Sequence, residues 1–151
     1  YFMEKNKINY ISVESKKDIF IKLKNSKLNI FFFSLGITKR YSIPYFMRFN
    51  KKKIINYTKS IYSFGKINPD LIFIDGRFRV ICFFYVINFL KINKFKNTTV
   101  MIDDFFRKEY LIINTYFKVK RVGRIGYLKL KDQRKKYNLK NIEKSYLFDP
   151  S

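Results

Sequence analysis

The feature that most constrains the fold is an alternation of short apolar runs with longer segments of helical periodicity. A continuous apolar run of about four to eight residues, bounded by Gly, Pro or Asp, is typical of a strand buried on both faces. The clearest run is Leu71–Ile74, which follows Pro69 and is ended by Asp75 and Gly76. Strands that alternate with helices predict a parallel sheet with right-handed crossovers.

The predicted elements follow the order β-α-β-α-β-α-β-α-β-β, after what looks like the end of a helix at residues 1–7. The predicted strands are 8–13, 28–35, 71–74, 98–102, 118–122 and 124–131, and the predicted helices are 16–24, 54–64, 78–92 and 105–117. The last two strands join tightly around Gly123, which indicates an antiparallel hairpin. The sequence therefore predicts an α/β fold with a mostly parallel sheet and a C-terminal antiparallel hairpin.

Length and composition are those of a single folded domain. The chain has 151 residues, of which 47% are hydrophobic, so it can bury a core and is not a disordered tail. Beyond Asp132 the sequence becomes basic and polar. We therefore expect one α/β domain over residues 1–131 and a basic C-terminal tail over residues 132–151.

The formal charge of +22 raises the question of a nucleic-acid partner, because clustered Lys and Arg displace counterions from phosphates. The sequence contains no alanine or tryptophan and is rich in Lys, Asn, Ile, Phe and Tyr, which are residues of AT-rich codons. Genome composition then accounts for many of the lysines, which would be scattered over solvated faces. RNA or DNA is a candidate partner that the sequence does not favour.

Single residue types exclude several kinds of site. The chain has no histidine, which excludes His-based triads and His metal sites. The one cysteine, Cys82, cannot form an intrachain disulfide, and a reducing compartment, the cytoplasm, is the simplest expectation. The longest central apolar run, Val80–Leu90, is too short to span a bilayer, so we expect no membrane partner.

Acidic residues follow three of the predicted strands. Glu14 follows the first strand, Asp75 the third, and Asp103 with Asp104 the fourth. Ligands of open α/β sheets bind beyond the carboxyl ends of the strands, so we expect these carboxylates side by side along one rim of one sheet. The alternative for Asp75 and Asp104 is that each caps the following helix, since a carboxylate is favourable at a helix start.

Two arginines follow Asp75 at close spacing. Arg77 and Arg79 stand one residue apart, and guanidinium groups bind carboxylates and phosphates bidentately. The pair is therefore consistent with an anionic substrate. It is equally consistent with a fixed ion pair to Asp75 or Asp103 that orders the rim.

The residues VES at 13–15, FIDG at 73–76 and MIDD at 101–104, together with the terminal hairpin, give a chain that resembles class I S-adenosylmethionine-dependent methyltransferases. The resemblance covers residues 1–131 as topology, and its motif matches are short. It implies a Rossmann-like three-layer sandwich. It also implies transfer of a methyl group from S-adenosylmethionine to an oxygen or nitrogen nucleophile of a small molecule.

The resemblance assigns roles to the residues that match. Glu14, with Ser15 beside it, matches the acidic position that accepts hydrogen bonds from the ribose of the cofactor; the alternative is that Ser15 or Glu14 caps the next helix. Asp75 matches the acidic residue beside the cofactor and the methyl-transfer site, where it would orient the nucleophile. Arg77 and Arg79 are then further catalytic candidates, suited to an anionic small-molecule substrate.

Metal-dependent members of this family hold a divalent cation between carboxylates that follow these same two strands. Asp75, Asp103 and Asp104 match those positions, and Mg²⁺ prefers such oxygen ligands. A bound cation would lower the pKa of a substrate hydroxyl. The chain departs from that group at Arg77 and Arg79, where an acidic or His residue is usual.

The first strand of the family and its glycine-rich turn have no match in this sequence. We therefore expect an N-terminally truncated fragment of an S-adenosylmethionine-dependent methyltransferase, which binds the cofactor poorly and is inactive by itself. The alternative function is a non-catalytic basic Rossmann-like module that binds RNA or DNA. A nucleotide-sugar transferase is a further alternative, which the predicted antiparallel last strand disfavours.

Overall fold

A computed structural model describes residues 9–24, 29–39 and 43–150. The chain divides into two compact units, Tyr1–Ser60 and Ile61–Ser151. The helix end predicted at residues 1–7 lies outside the described residues, as does the start of the first predicted strand.

The first unit contains a small parallel sheet. Strand β1 is Ser12–Glu14 and strand β2 is Ile30–Phe32, and both are shorter than predicted. They pair in parallel, with Val13 opposite Phe31. Helix α1, Lys17–Lys24, connects them and contacts both, in agreement with the prediction. Asp18 in its first turn and Lys22 and Lys24 in its last turn suit the helix dipole.

Helix α2 is Lys51–Thr58, and a 3₁₀ helix, Ser60–Phe64, follows it. The sequence predicts one helix over 54–64. The observed helix begins earlier because the amide of Asn50 already donates to the carbonyls of Phe46 and Met47 in the preceding turn. The Thr58 hydroxyl donates to the carbonyl of Ile55, a local bond that competes with helix continuation.

The second unit contains a four-stranded mixed sheet. Its strands are β3, Leu71–Ile74; β4, Thr99–Ile102; β5, Lys120–Val122; and β6, Ile125–Leu128, arranged in the order β3-β4-β6-β5. β3 and β4 are parallel, whereas β6 is antiparallel to both β4 and β5. The predicted terminal hairpin is confirmed, with Gly123 in its turn at φ 58°. The sheet is mixed rather than mostly parallel.

Helix α3, Arg79–Ile92, is buried along most of its length and contacts β3. Strand register places Val100 and Leu128 opposite each other on the buried face of the sheet. Leu71 and Phe73, on the other face, remain 49% and 53% exposed. The face of β3 that carries Leu71 and Phe73 is therefore partly open to solvent.

Residues 105–117 do not form the single helix that the sequence predicts. A 3₁₀ helix, Lys108–Tyr110, precedes a short helix α4, Leu111–Tyr116. Residues before Lys108 form turns, and Asp104 has a positive φ of 54°, which is incompatible with a helix start. None of the helices among the described residues combines the length and apolar character needed to cross a bilayer.

The last twenty residues were expected to form a basic tail, and the structure instead places helix α5, Leu139–Tyr146, there. The Asn138 side chain accepts hydrogen bonds from the amides of Lys140 and Asn141 at the start of this helix. Ile142 and Leu147 are buried, and α5 packs against α3. This segment is therefore a packed part of the second unit.

Candidate functional site

The carboxyl ends of β3 and β4 bring Asp75, Asp103 and Asp104 to one edge of the sheet. The two strands are parallel neighbours, with Ile74 opposite Ile102, so the residues that follow them emerge together. The amide of Asp103 donates to the carbonyl of Ile74 at 3.1 Å and extends the pairing by one residue. The structure thus brings together the three carboxylates that the sequence places after these strands.

A buried arginine joins these carboxylates. The side chain of Arg79, in the first turn of α3, is 4% exposed. Its Nη2 donates to Asp75 Oδ1 at 2.8 Å, and its Nη1 donates to Asp104 Oδ2 at 3.1 Å and to the Asp103 carbonyl at 2.8 Å. Its Nε donates to the Gly76 carbonyl at 3.0 Å. A buried guanidinium needs such complete pairing, so Arg79 is an internal ion-pair partner, not a free anion-binding group.

Two further arginines cover the same carboxylates from outside. Arg124, which is 63% exposed, donates through Nε and Nη2 to both carboxylate oxygens of Asp103. It also lies 3.1 Å from Asp104 Oδ1, and Arg107 Nη2 donates to Asp104 Oδ2 at 2.7 Å. Hydrogen bonds from Arg124 hold the pKa of the Asp103 carboxyl below its usual value. Three carboxylates therefore face three guanidinium groups.

Sequence reasoning missed Arg107 and Arg124 as partners of the aspartates. Arg107 is three residues from Asp104, a spacing that allows contact in a turn as well as in a helix. Arg124 reaches the rim because the amide of Phe105 donates to the Arg124 carbonyl at 2.8 Å. Arg124 and Asp103 are 21 residues apart, so no local sequence pattern predicts their contact.

Asp75 is the most accessible of the three aspartates. Its side chain is 52% exposed, against 5% for Asp103 and 14% for Asp104. Arg79 holds Oδ1, and within the described structure no hydrogen bond is made to Oδ2 of Asp75. Asp75 is therefore the carboxylate that retains an oxygen for a ligand.

The structure shows neither the predicted caps nor the alternative ion pair between Arg77 and Asp75 or Asp103. Helix α3 begins at Arg79 after Phe78, and neither Asp75 nor Asp104 caps a helix. Arg77 Nη1 donates to the carbonyl of Pro150 at 3.3 Å. Arg77 is therefore engaged with the C-terminal segment, while Arg79 alone of the two pairs with the aspartates.

The three aspartates do not suit a divalent cation. The guanidinium of Arg79 lies between Asp75 and Asp104, where a shared cation would have to lie. In the part of the chain that the structure describes, no three Asp, Glu or Cys side chains are grouped to hold a metal. A cation at this rim would have to displace charge-assisted hydrogen bonds that already satisfy the carboxylates.

A second strand-end site lies in the first unit, at the carboxyl ends of β1 and β2. Glu14 is the last residue of β1, and its Oε1 accepts hydrogen bonds from the amides of Ser15 at 2.7 Å and Lys16 at 2.8 Å. Glu14 thus orders the entry into α1, while its Oε2 accepts no hydrogen bond from the described residues. A cavity of about 560 Å³ opens here, and Ser15, Phe32 and Ser34 are among its lining residues.

The strand-end carboxylates are divided between two sheets. β1 and β2 form one sheet, and β3, β4, β6 and β5 form the other, as far as the described strands pair. Asp75 and Asp103 follow neighbouring strands, whereas Glu14 belongs to the other unit. The expectation that all three emerge along one rim of one sheet is therefore met only by Asp75 and Asp103.

Comparisons with known proteins bear on the fold. No protein-family model matches the chain, and no curated protein matches it. Among solved structures, the chain is similar to a methyltransferase-like protein from Silicibacter pomeroyi, with a TM-score of 0.70 and 16% sequence identity. The similarity covers 92% of this chain and 76% of that one. At this identity the likeness is one of fold, and the chain has a methyltransferase-like α/β fold.

Proposed function

We propose that the chain belongs to a class I S-adenosylmethionine-dependent methyltransferase acting on an oxygen or nitrogen nucleophile of a small molecule. One observation carries the proposal. In a fold similar to that of a methyltransferase-like protein, the order β3-β4-β6-β5 with β6 reversed leaves Asp75 accessible beside buried Asp103.

The proposed reaction needs little covalent chemistry from the protein. S-adenosylmethionine, when bound, supplies an electrophilic methyl group on a sulfonium. The acceptor's lone pair forms the new bond to the methyl carbon, the carbon–sulfur bond breaks, and the acceptor loses a proton. The task of the chain is to position the acceptor and receive that proton.

Asp75 and Arg79 divide this task. Asp75 Oδ2 accepts the O–H or N–H of the acceptor and takes its proton. Arg79 is a positioning residue, because its hydrogen bond to Oδ1 at 2.8 Å fixes the rotation of the carboxylate. No divalent cation enters the proposal, since the arginines already neutralise these carboxylates.

Glu14 and Ser15 are proposed to hold the cofactor's ribose. The Oε2 atom of Glu14 is a pure acceptor that suits a pair of adjacent hydroxyls. The neighbouring cavity of about 560 Å³ offers the Ser34 hydroxyl and the ring of Phe32, which is 36% exposed. These groups suit a nucleoside, which presents a flat ring and several hydroxyls.

One edge of the four-stranded sheet is open. Among the described strands, β3 pairs only with β4, so its other edge offers unpaired backbone groups. The resemblance puts the glycine-rich turn directly after the family's first strand. Without that turn we expect weak cofactor binding by this chain.

Titration of ¹⁵N-labelled protein with S-adenosylhomocysteine tests the cofactor assignment, because amide shifts detect weak binding and locate it. We expect saturable shifts at Ser15, Ser34 and Gly36, which Glu14→Gln abolishes. Glu109→Gln, an exposed carboxylate in the second unit, serves as the matched control. Shifts that persist in Glu14→Gln would contradict the assignment, and tight binding would contradict the expected weak binding.

Methyl incorporation from labelled S-adenosylmethionine into pooled phenols, amines and carboxylic acids tests the catalytic assignment. Asp75→Asn should lower the rate by about 100-fold or more, because it removes the proton acceptor. Glu109→Gln should leave the rate unchanged. A rate that survives Asp75→Asn would refute the role of Asp75.

A further inference from the structure

The segment from Pro44 to Lys53 (PYFMRFNKKK), termed the aromatic–basic segment, presents three aromatic side chains to solvent. Phe49 is 91% exposed, Phe46 62% and Tyr45 53%. The rings of Phe46 and Phe49 lie 6.2 Å apart and edge to face, and those of Tyr45 and Phe46 lie 6.4 Å apart. Large aromatic side chains are mostly buried in folded proteins, so a contiguous exposed group indicates a contact surface.

The segment is held in place by hydrogen bonds at both ends. The amide of Tyr45 donates to the carbonyl of Ile37 at 3.0 Å, and the carbonyl of Phe46 accepts from the Asn50 amide at 3.0 Å and from Asn50 Nδ2 at 3.1 Å. Asn50 also packs closely on Gly36, where an added Cβ would lie 2.5 Å from Asn50 Oδ1. The exposed rings are therefore preorganised, which lowers the entropic cost of binding.

Basic residues flank these rings in the sequence, and no carboxylate side chain stands near them in the sequence. Arg48 lies between Phe46 and Phe49, and Lys51–Lys53 follow in the first turn of α2, all exposed. From residue 19 to residue 69 the chain contains eleven lysines and arginines and no aspartate or glutamate. The position of these charges, more than their number, indicates an anionic partner.

We infer that the aromatic–basic segment binds single-stranded nucleic acid. Unstacked bases have flat faces that stack on aromatic rings, and the phosphates between them pair with lysine and arginine. The segment offers both, with Phe46 and Phe49 for bases and Arg48 with Lys51–Lys53 for phosphates. The inference uses residues of the first unit only and does not depend on methyl transfer.

Single-stranded nucleic acid fits this surface better than an anionic bilayer does. A helix that lies in a membrane surface needs a free apolar face beside its lysines. In α2 the apolar Ile54 is fully buried, and Thr58 is also buried. The exposed apolar groups are thus confined to the turn before the helix, whose rings suit stacking more than insertion.

Fluorescence anisotropy of a labelled twelve-nucleotide oligouridylate with the full chain tests the inference. We expect binding that weakens steeply with salt. Phe46→Ala with Phe49→Ala should lower affinity by about 10-fold or more, because base stacking is lost. Replacing Lys51, Lys52 and Lys53 with Gln should reduce the salt slope by about 2.

Two control variants remove an exposed ring or three exposed lysines from the second unit. Phe106→Ala removes a ring that is 62% exposed in the second unit, and Lys135, Lys136 and Lys140 to Gln removes three exposed charges there. Both controls should retain most of the affinity. A control triple variant that loses as much as the Lys51–Lys53 variant would overturn the inference, because binding would then follow total charge alone.

Two further outcomes would also overturn it. One is an affinity for the oligonucleotide that is unchanged when both Phe46 and Phe49 are replaced by Ala. The other is failure to bind the oligonucleotide together with ring-dependent binding to vesicles of phosphatidylserine and phosphatidylcholine. Thermal unfolding midpoints near that of the parent chain would show that each variant is folded, as expected for exposed positions.

Discussion

The two units of the chain treat their charged groups in opposite ways. In the second unit, Asp75, Asp103 and Asp104 lie within 3.1 Å of arginine nitrogens, and the largest burial falls on Arg79. In the first unit, the basic residues around the aromatic–basic segment have no carboxylate side chain nearby in the sequence. The formal charge of +22 is therefore not spread evenly. Paired charges build the rim of one unit, and a basic stretch without acidic neighbours in the sequence forms an exposed surface of the other.

Among the substitutions that test this contrast between the units, loss of the buried Arg79 should have the largest effect on stability. Arg79→Met leaves the Asp104 carboxylate and the Gly76 and Asp103 carbonyls without the buried donor that they share, so we expect the free energy of unfolding to fall by about 3–5 kcal/mol. Urea denaturation measures it. Arg121→Met, at an exposed arginine of the same unit, should change stability by about 0.5 kcal/mol or less. Equal effects would show that Arg79 is not an internal partner.

A change at Gly36 should test the support of the aromatic–basic segment. Gly36 has φ 81° and approaches Asn50, so Gly36→Ala combines backbone strain with overpacking and should cost about 2–4 kcal/mol. Gly65→Ala is the matched control, because Gly65 has φ 66° but nothing within 4 Å of an added Cβ. If both substitutions lower the free energy of unfolding equally in urea denaturation, the contact between Gly36 and Asn50 does not contribute to stability.

The pH dependence of stability should report the pairing of Asp103. Its folded-state pKa lies below the unfolded value of about 4, so its charged form stabilises the fold above that pH. The contribution is lost as the pH falls through the folded-state pKa. Asp103→Asn should therefore cost about 2 kcal/mol at pH 7 and progressively less under acid conditions. A cost that stays constant with pH would contradict the ion pair with Arg124.

The smallest effect is expected from the exposed lysines of the aromatic–basic segment. Replacing Lys51, Lys52 and Lys53 with Gln removes self-repulsion and no described ion pair, so stability should rise by up to about 0.5 kcal/mol. The gain should shrink in high salt because salt screens exposed charges. A marked loss of stability on thermal unfolding would show that these lysines have partners, and the contrast between the units would then fail.

Some elements were predictable because the physics that forms them is local. The apolar run Leu71–Ile74 is bounded by Pro69 and Asp75, and the strand is found with these bounds. The hairpin around Gly123 and the adjacency of Asp75 and Asp103 also follow from local pattern and from parallel pairing. These features required no knowledge of distant contacts.

Other elements were not predicted correctly, either because they depend on contacts between distant residues or because a local sequence signal was overlooked. The helix predicted over 105–117 is broken where Asp104 takes a positive φ, accepts hydrogen bonds from Arg79 and Arg107 and forms an ion pair with Arg124. The partners of the aspartates come from a turn and a hairpin that only tertiary packing brings near. Helix α5 did leave a signal, since Asn138 is a good cap and Ile142 and Tyr146 have helical spacing.

The central claim is that Arg79, Arg107 and Arg124 pair with the strand-end carboxylates of β3 and β4, which leaves no place there for a divalent cation. Titration with Mn²⁺, with the free ion followed by electron paramagnetic resonance, tests it most directly. The account predicts no stoichiometric binding by the chain and no difference between it and Asp75→Asn. One tightly bound Mn²⁺ per chain, lost in Asp75→Asn and in Asp104→Asn, would contradict it.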